Sequence, residues 1–131
     1  MEQFNIDELN QKYNNAEPQE IISYIVNNFG KDFTFSTSLS FEDQAVTHII
    51  CQYTREFDIF TLDTGRLFQE TYDTIVATES QYGISIRIMF PDTQKVEEMV
   101  NKHGINLFYD SLELRKLCCH IRKIEPLQKA L

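Results

Sequence analysis

Apolar residues repeat at helical spacing in the first thirty positions of the chain. The first repeat predicts a short helix within residues 5–15. The second fills residues 18–29, where Pro18 stands at a position favoured in the first helical turn and Gly30 ends the repeat. Both are typical of packing helices, so residues 1–30 are predicted to be an N-terminal helical segment.

Short runs of β-branched and aromatic residues then alternate with further helical repeats. The predicted strands are residues 32–38, 57–62 and 84–90, and the helices that follow them carry apolar residues through 45–53, 72–82 and 96–100. This alternation predicts an α/β fold, a parallel sheet with helices on both faces. The sequence contains no internal repeat and no linker, so a single domain is expected, with residues 31–131 as its core.

The last thirty residues are predicted to hold a short extended piece and one helix. The extended piece is residues 105–109, and Ser111 is a candidate cap for the helix that follows. Leu114, Leu117 and Ile121 give that helix an apolar stripe at helical spacing.

Polar loops follow each predicted strand, at residues 38–43, 63–66 and 91–93. Crossovers between parallel strands are right-handed, so loops that follow strands open at one edge of the sheet. Ligands of such folds bind in a crevice at that edge. We therefore expect the three loops to converge on a ligand. Asp63 fits either of two roles there, accepting hydrogen bonds from an adenine amine or ribose hydroxyl, or forming the turn.

The first of these loops joins a strand to a helix through serine residues. Backbone amides at a helix start, with hydroxyls beside them, suit an oxyanion such as phosphate or sulfate. The loop contains no glycine, which excludes a Walker-type phosphate loop and a dinucleotide fingerprint. An ordinary capped helix start explains the same pattern.

Adjacent cysteines, Cys118 and Cys119, are the most unusual feature of the chain. In a helix, Arg122 lies one turn from Cys118 and Lys123 one turn from Cys119. Nearby cations favour the thiolate, the form that binds metals and attacks electrophiles. A thiol buried against the apolar stripe is the alternative. Cys51 lies near the apolar face of an earlier helix and is interpreted as a core residue.

Composition narrows the class of protein further. The 131 residues include 42% hydrophobic side chains, enough to build a core, and the net charge is −8. An acidic chain is a poor candidate for nonspecific nucleic-acid binding, and no apolar run is long enough to span a membrane. The acidic start lacks a secretory pattern, and three cysteines are an odd number. A cytoplasmic protein with reduced thiols is expected.

Charge is distributed unevenly along the chain. Residues 112–131 hold five basic residues against two acidic ones, a local balance of +3. A positive segment on an acidic protein suits a small anion or an acidic partner. A solvated helix face accounts for it equally well.

Three motifs together give the chain its family resemblance. They are FSTSLSFEDQ at residues 35–44, LDTGRLFQETY at residues 62–72 and CCHIRKIEPL at residues 118–127. The chain resembles the assimilatory adenylyl-sulfate and phosphoadenylyl-sulfate reductases, over about three quarters of its length. The first motif is similar to the family's modified pyrophosphate loop. The second resembles its second nucleotide signature, and the third its paired-cysteine motif.

The resemblance implies a fold, a substrate and a reaction. The fold is the adenine nucleotide α-hydrolase type, which is Rossmann-like. The substrate is adenylyl sulfate or phosphoadenylyl sulfate, which is reduced to sulfite and AMP or its 3′-phosphorylated form with electrons from thioredoxin or glutaredoxin. The implied substrate-binding residues are Ser36, Ser38, Ser40, Asp63, Thr64, Gly65 and Arg66.

The paired cysteines carry a further implication. They mark the branch that holds a 4Fe-4S cluster, with Cys118 and Cys119 as two of its ligands and Lys123 bridging cluster and substrate electrostatically. The family mechanism is attack of a thiolate on the sulfate sulfur, followed by release of sulfite from a thiosulfonate.

Two departures from the family pattern bear on activity. Ser40 stands where the family usually has glycine, and its Cβ is expected to crowd a ligand unless its φ is negative. The family's second cysteine pair and its nucleophilic cysteine lie beyond Leu131, whereas a 4Fe-4S cluster takes four thiolates. We therefore expect residues 1–131 to be a single incomplete domain that assembles no cluster and is inactive alone.

Two other functions remain open at this point. One is a non-redox enzyme with a pyrophosphate loop that adenylates a substrate with ATP and magnesium, for which paired cysteines have no use. The other is a nucleotide- or metal-binding module that holds zinc through Cys118, Cys119 and His120. Structural zinc sites usually have four ligands at wider spacing in the sequence, which counts against a zinc site at these three consecutive residues.

Overall fold

The computed structural model describes residues 5–131. The helices are α1 (Ile6–Tyr13), α2 (Pro18–Phe29), α3 (Phe41–Tyr53), α4 (Gln69–Tyr82), α5 (Thr93–His103), α6 (Leu112–Cys119) and α7 (Glu125–Ala130). The strands are β1 (Thr34–Ser36), β2 (Asp58–Leu62) and β3 (Arg87–Met89). A 3₁₀ turn spans Leu107–Tyr109, and a π-helical turn, His120–Ile124, joins α6 to α7. None of the described helices combines the length and apolar character that crossing a membrane requires.

The strands form a parallel sheet in the order β1-β2-β3. Phe35 pairs with Ile59, and Thr61 pairs with Ile88. Because neighbouring strands are also consecutive, right-handed crossovers put α3 and α4 on the same face of the sheet.

Residues of β2 show how the two faces are covered. Ile59, 1% exposed, packs with Ile75 of α4 and with Ile86. The next residue, Phe60, is fully buried and faces the other way. Arg87 lies over the Phe60 ring, 5.4 Å from its centroid, and also donates to the carbonyl of Ala130. Helix α7 thus covers the second face, which confirms the predicted parallel sheet with helices on both sides.

A second apolar cluster lies among α5, α6 and the 3₁₀ turn. It is built on Met99, Leu107, Cys118 and Ile121. The prediction of an extended piece at residues 105–109 is wrong, because the chain coils after Gly104 and buries Leu107 to 1% exposure. The predicted helix start is confirmed, since the Ser111 hydroxyl accepts a hydrogen bond from the Leu114 amide at 3.1 Å.

The predicted N-terminal helices are also present. The Asn5 side chain caps α1 by accepting from the amides of Asp7 and Glu8. Pro18 opens α2, and the amide of Glu17 donates to the Glu20 carboxylate at 3.0 Å. Helix α2 packs against α3, so this segment is joined to the sheet through that helix.

An ion pair between β2 and β3 gives the fold a pH dependence. Both oxygens of Asp58 accept hydrogen bonds from Arg87, at 2.6 and 3.1 Å. These bonds hold the pKa of Asp58 below its usual value of 3.8. A lowered pKa in the folded state means that the pair stabilises the fold at neutral pH and stops doing so as the pH falls through that lowered value.

We expect Asp58→Asn to lower the free energy of unfolding by about 0.5–1 kcal/mol at pH 7, because the pair is partly exposed. The difference from wild type should shrink as the pH is lowered from 5 to 2.5 in a series of thermal melts. The control is Glu56→Gln, which breaks the more exposed pair with Lys31. A difference between Asp58→Asn and wild type that is constant over this range would contradict the assignment.

Candidate functional site

A cavity of about 320 Å³ lies at the carboxyl ends of β1 and β2. We call it the strand-end cavity. Its lining residues are Ser36, Thr37, Ser38, Asp43, Thr61, Leu62, Thr64, Leu67, Thr71 and Lys123. The loops after the first two strands therefore converge, as predicted, and the segment that follows the paired cysteines reaches the same place.

The loop from Ser36 to Asp43, here the serine loop, is held by its own side chains. The Ser38 amide and the Ser38 hydroxyl both donate to one carboxylate oxygen of Asp43, each at 2.6 Å. Ser40 is the N-cap of α3, and its backbone is extended with φ −69°. A negative φ was the condition for a serine in place of the family's glycine, and that condition is met.

Leu39 carries the backbone strain of this loop. Its φ is +65°, and it is the one residue other than glycine with a positive φ among residues 5–131. The left-handed conformation costs a leucine about 1–2 kcal/mol. Its side chain packs against the cluster of Ile59, Ile75 and Ile86, and its amide donates to the Thr37 hydroxyl at 3.0 Å. Packing therefore holds the loop in a strained shape, which is common where a loop meets a ligand.

Asp63 organises the loop after β2. It is 4% exposed, and its two oxygens accept from the Gly65 amide at 2.7 Å and from the Tyr72 hydroxyl at 2.8 Å. The hydrogen bond to Asp63, together with burial, raises the pKa of Tyr72. Of the two predicted roles, the turn is the one that these contacts describe, while the contact of Asp63 with a ligand stays a prediction.

Arg122 connects the same loop to the cysteine segment. Its Nη1 donates to the Thr64 carbonyl at 2.6 Å, and the side chain is only 7% exposed. Its Nε is buried without a hydrogen-bond partner among the described residues. Arg122 lies in the π-helical turn His120–Ile124, which departs from α-helical register, and it is buried. The solvated helix face considered for the basic segment therefore does not describe this cation.

Gly65 makes room for that guanidinium. Its φ is +72°, and a Cβ at this position would lie 3.1 Å from Nη1 of Arg122. The motif thus has a glycine where the backbone conformation disfavours a side chain and where a Cβ would require Arg122 to shift.

Arg66 is anchored to the protein rather than left free. Its guanidinium donates to the Ile105 carbonyl at 3.0 Å and to the Asn106 side chain at 3.2 Å. It also stacks 4.7 Å from the centroid of the Phe108 ring. These contacts fix the 3₁₀ turn against the loop after β2, and the substrate contact predicted for Arg66 stays a prediction.

A second cavity of about 200 Å³, the thiol cavity, lies beside the first. Its lining residues are Thr64, Arg66, Phe108, Cys118, Cys119, Arg122 and Lys123. Cys118 is 8% exposed and belongs to the apolar cluster, whereas Cys119 is half-buried. Thr64 and Lys123 line both cavities, so the two cavities meet at these two residues.

The loop after β3 is directed elsewhere. Residues 91–93 line a separate cavity of about 480 Å³, together with Glu125, Pro126 and Lys129. The prediction that all three loops converge is therefore wrong for this one. Helix α7 lies against the end of β3, and Lys95 of α5 is bonded to Glu125 at 2.9 Å.

The zinc alternative requires His120 beside the two cysteines. His120 instead lies 3.4 Å from Glu125, and within residues 5–131 no three His, Cys, Asp or Glu side chains are grouped to hold a metal ion. Cys51 is half-buried on α3, less enclosed than a core residue, and burial raises the pKa of its thiol.

Comparison with known proteins agrees with this arrangement. Residues 32–131 match the protein-family model named phosphoadenosine phosphosulfate reductase domain. The chain belongs to this reductase family. An adenosine 5′-phosphosulfate reductase from Agrobacterium fabrum is 47% identical over 97 residues, which are 74% of this chain and 37% of that relative. A chloroplastic 5′-adenylylsulfate reductase from Arabidopsis thaliana is 39% identical over 95% of this chain and 26% of its own length.

A solved structure also matches the fold of this family member. The phosphoadenylyl-sulfate reductase from Candida auris, in a phosphate complex, superposes with a TM-score of 0.77 at 26% identity. The match covers 99% of this chain and 62% of the Candida protein. The chain thus spans about two fifths or less of the curated relatives' length, and a larger share of the solved structure.

Proposed function

We propose that this chain binds an adenylated sulfate, adenylyl sulfate or phosphoadenylyl sulfate, and forms the nucleotide-binding part of a sulfate-assimilation reductase. The observation that carries the proposal is the junction of the two cavities. Lys123 and Thr64 line both, so an anion held near the serine loop would lie beside a lysine that also borders the cavity of the paired thiols. The relatives named adenosine 5′-phosphosulfate reductase and 5′-adenylylsulfate reductase favour the same substrate class.

The side chains suit distinct parts of such a substrate. Ser36 offers a hydroxyl to the phosphate, whereas the Ser38 hydroxyl is bound to Asp43, and Lys123 offsets the negative charge of the phosphosulfate. As the sulfur–oxygen bond to AMP breaks, charge builds up on the leaving phosphate, and a cation beside it stabilises that change.

The proposed reaction reduces the sulfur by two electrons. A cysteine thiolate attacks the sulfur, a sulfur–sulfur bond forms, and AMP leaves with the electron pair of the broken bond. A dithiol protein of the thioredoxin or glutaredoxin type then reduces the thiosulfonate, which releases sulfite and leaves the dithiol oxidised. Cys118 and Cys119 match the family's paired metal ligands rather than its nucleophile. The three free thiols suit a reducing compartment such as the cytoplasm.

The thiol cavity fits part of a 4Fe-4S site. Cys118 and Cys119 would supply two adjacent sulfur ligands, and the buried Nε of Arg122, which has no partner among residues 5–131, is a donor in the lining of the same cavity. They are half of the four thiolates that such a cluster takes, and Cys51 does not line this cavity. A bound cluster would supply iron and inorganic sulfide whose charge tunes the site.

Calorimetric titration of the folded 131-residue chain with adenylyl sulfate, AMP and ATP tests the proposal. We expect adenylyl sulfate to bind, and Lys123→Met to weaken it about 10- to 100-fold, because a hydrogen bond to a charged group is lost. The matched control is Lys116→Met, since Lys116 is an exposed lysine of α6 that lines neither cavity. Failure of the wild-type chain to bind adenylyl sulfate, or equal losses in both variants, would refute the proposal.

A further inference from the structure

A carboxylate of the chain itself occupies the donors of the serine loop. One oxygen of Asp43 accepts from the amide of Ser38 and from its hydroxyl, both at 2.6 Å. The Ser40 hydroxyl lies 3.0 Å from the Ser38 hydroxyl, and the Ser40 amide donates to that same oxygen of Ser38 at 3.4 Å. The donors that an oxyanion would take at this loop are therefore already bound to a negative group.

The charge of Asp43 also faces the strand-end cavity. Asp43 is half-buried and lines that cavity, where Lys123 is the other charged lining residue. The two charges have opposite signs, so the cavity has no net positive charge to attract a polyanion. A ligand with one or two negative charges can lie near Lys123, whereas additional phosphates would extend toward a carboxylate that repels them.

Helix capping is the simpler explanation for the position of Asp43. Asp43 is the third residue of α3, where carboxylates often bind free backbone amides. In a capping box, however, that carboxylate binds the amide of the N-cap residue, here Ser40. Asp43 instead reaches the amide of Ser38, two residues earlier, and takes the hydroxyl of Ser38 as well. The carboxylate thus shapes the ligand end of the loop.

We propose that Asp43 determines specificity by excluding diphosphate and triphosphate groups from the serine loop. The cavity then admits nucleotides whose α-phosphate carries a sulfate or nothing further, and it rejects ATP. This inference rests on the proposed nucleotide site and states how that site distinguishes an adenylated sulfate from ATP, which shares its adenosine 5′-phosphate part but carries more negative charge.

The test compares Asp43→Asn with wild type in titrations with inorganic pyrophosphate, ATP and adenylyl sulfate. Asparagine keeps an oxygen acceptor for Ser38 but removes the charge. We expect the affinity for pyrophosphate and ATP to rise about tenfold, and that for adenylyl sulfate to change by about fivefold or less. Glu42→Gln is the matched control, because it removes the same charge from an exposed neighbour in the same helical turn.

The outcomes separate this inference from the proposed function. Unchanged affinity of Asp43→Asn for pyrophosphate and ATP, or an equal rise in Glu42→Gln, would overturn the inference. Absence of adenylyl sulfate binding by wild type refutes the proposed function alone, since a gain of pyrophosphate binding in Asp43→Asn still supports the role of Asp43. If Asp43→Asn does not fold, Asp43→Ser replaces it. Where wild type binds adenylyl sulfate, it must bind it more tightly than ATP, and measurable binding of both with equal affinity would overturn the inference.

Discussion

Gly65→Ala is expected to weaken adenylyl sulfate binding about 10- to 100-fold and to lower the free energy of unfolding by about 1–3 kcal/mol. Two causes act together. Alanine at φ +72° is strained, and its Cβ would lie 3.1 Å from Nη1 of Arg122. The guanidinium cannot move away freely, because it is buried and bonded to the Thr64 carbonyl at 2.6 Å. We expect the loop to shift, taking Thr64 out of both cavities.

Gly30→Ala separates the two causes. Gly30 also has a positive φ, +55°, but nothing lies within 4 Å of the position that a Cβ would take. This variant should lose stability without losing ligand affinity, since Gly30 follows α2 and lines neither cavity. Thermal melts and calorimetric titration of both variants measure the two effects. Normal binding by Gly65→Ala would contradict the role assigned to its contact with Arg122.

The order of elements could be predicted from the sequence because burial leaves a periodic pattern. Strands alternate with helical repeats along the chain, and this alternation indicated a sheet covered on both faces. Ile59 and Phe60, which face opposite sides of β2, are accordingly both buried. Strand lengths were harder to predict. The run at residues 84–90 pairs with β2 only over Arg87–Met89. The length of a strand depends on hydrogen bonds to its neighbour, which cannot be deduced from apolar composition.

The sequence motifs of the site could be predicted, but the contacts that join them could not. The serine loop, the loop of Gly65 and the paired cysteines were found by their motifs. The burial of Arg122 could not be predicted, because Arg122 lies in a π-helical turn and no local sequence pattern indicates such a turn. The anchoring of Arg66 on Ile105 and Asn106 joins residues about forty positions apart, and one sequence does not reveal such pairs.

The two roles considered for Cys118, a core thiol and a thiol at a reactive site, do not exclude each other in this fold. A thiol was expected either to pack in a core or to face a reactive site. Cys118 does both, since it belongs to the cluster of Met99, Leu107 and Ile121 and also lines the thiol cavity. The apolar cluster fixes the backbone of α6, and the position of that backbone determines which part of Cys118 lines the thiol cavity. Packing behind the cysteine therefore controls its access to solvent.

Leu107→Ala should test that dependence with the largest loss of stability expected for any change near the site. Leu107 is 1% exposed and packs in the same cluster as Cys118. Truncation of a fully buried leucine removes about 2–5 kcal/mol from the free energy of unfolding, through lost burial and the cavity left behind. The new space adjoins Cys118, so its thiol should react with iodoacetamide several-fold faster, as followed by mass spectrometry of the modified residue. Leu112→Ala is the matched control, because Leu112 is 60% exposed and its truncation should change stability by about 0.5 kcal/mol or less. Unchanged alkylation of Cys118 in Leu107→Ala, despite lower stability, would mean that the cluster supports the helix without gating the thiol.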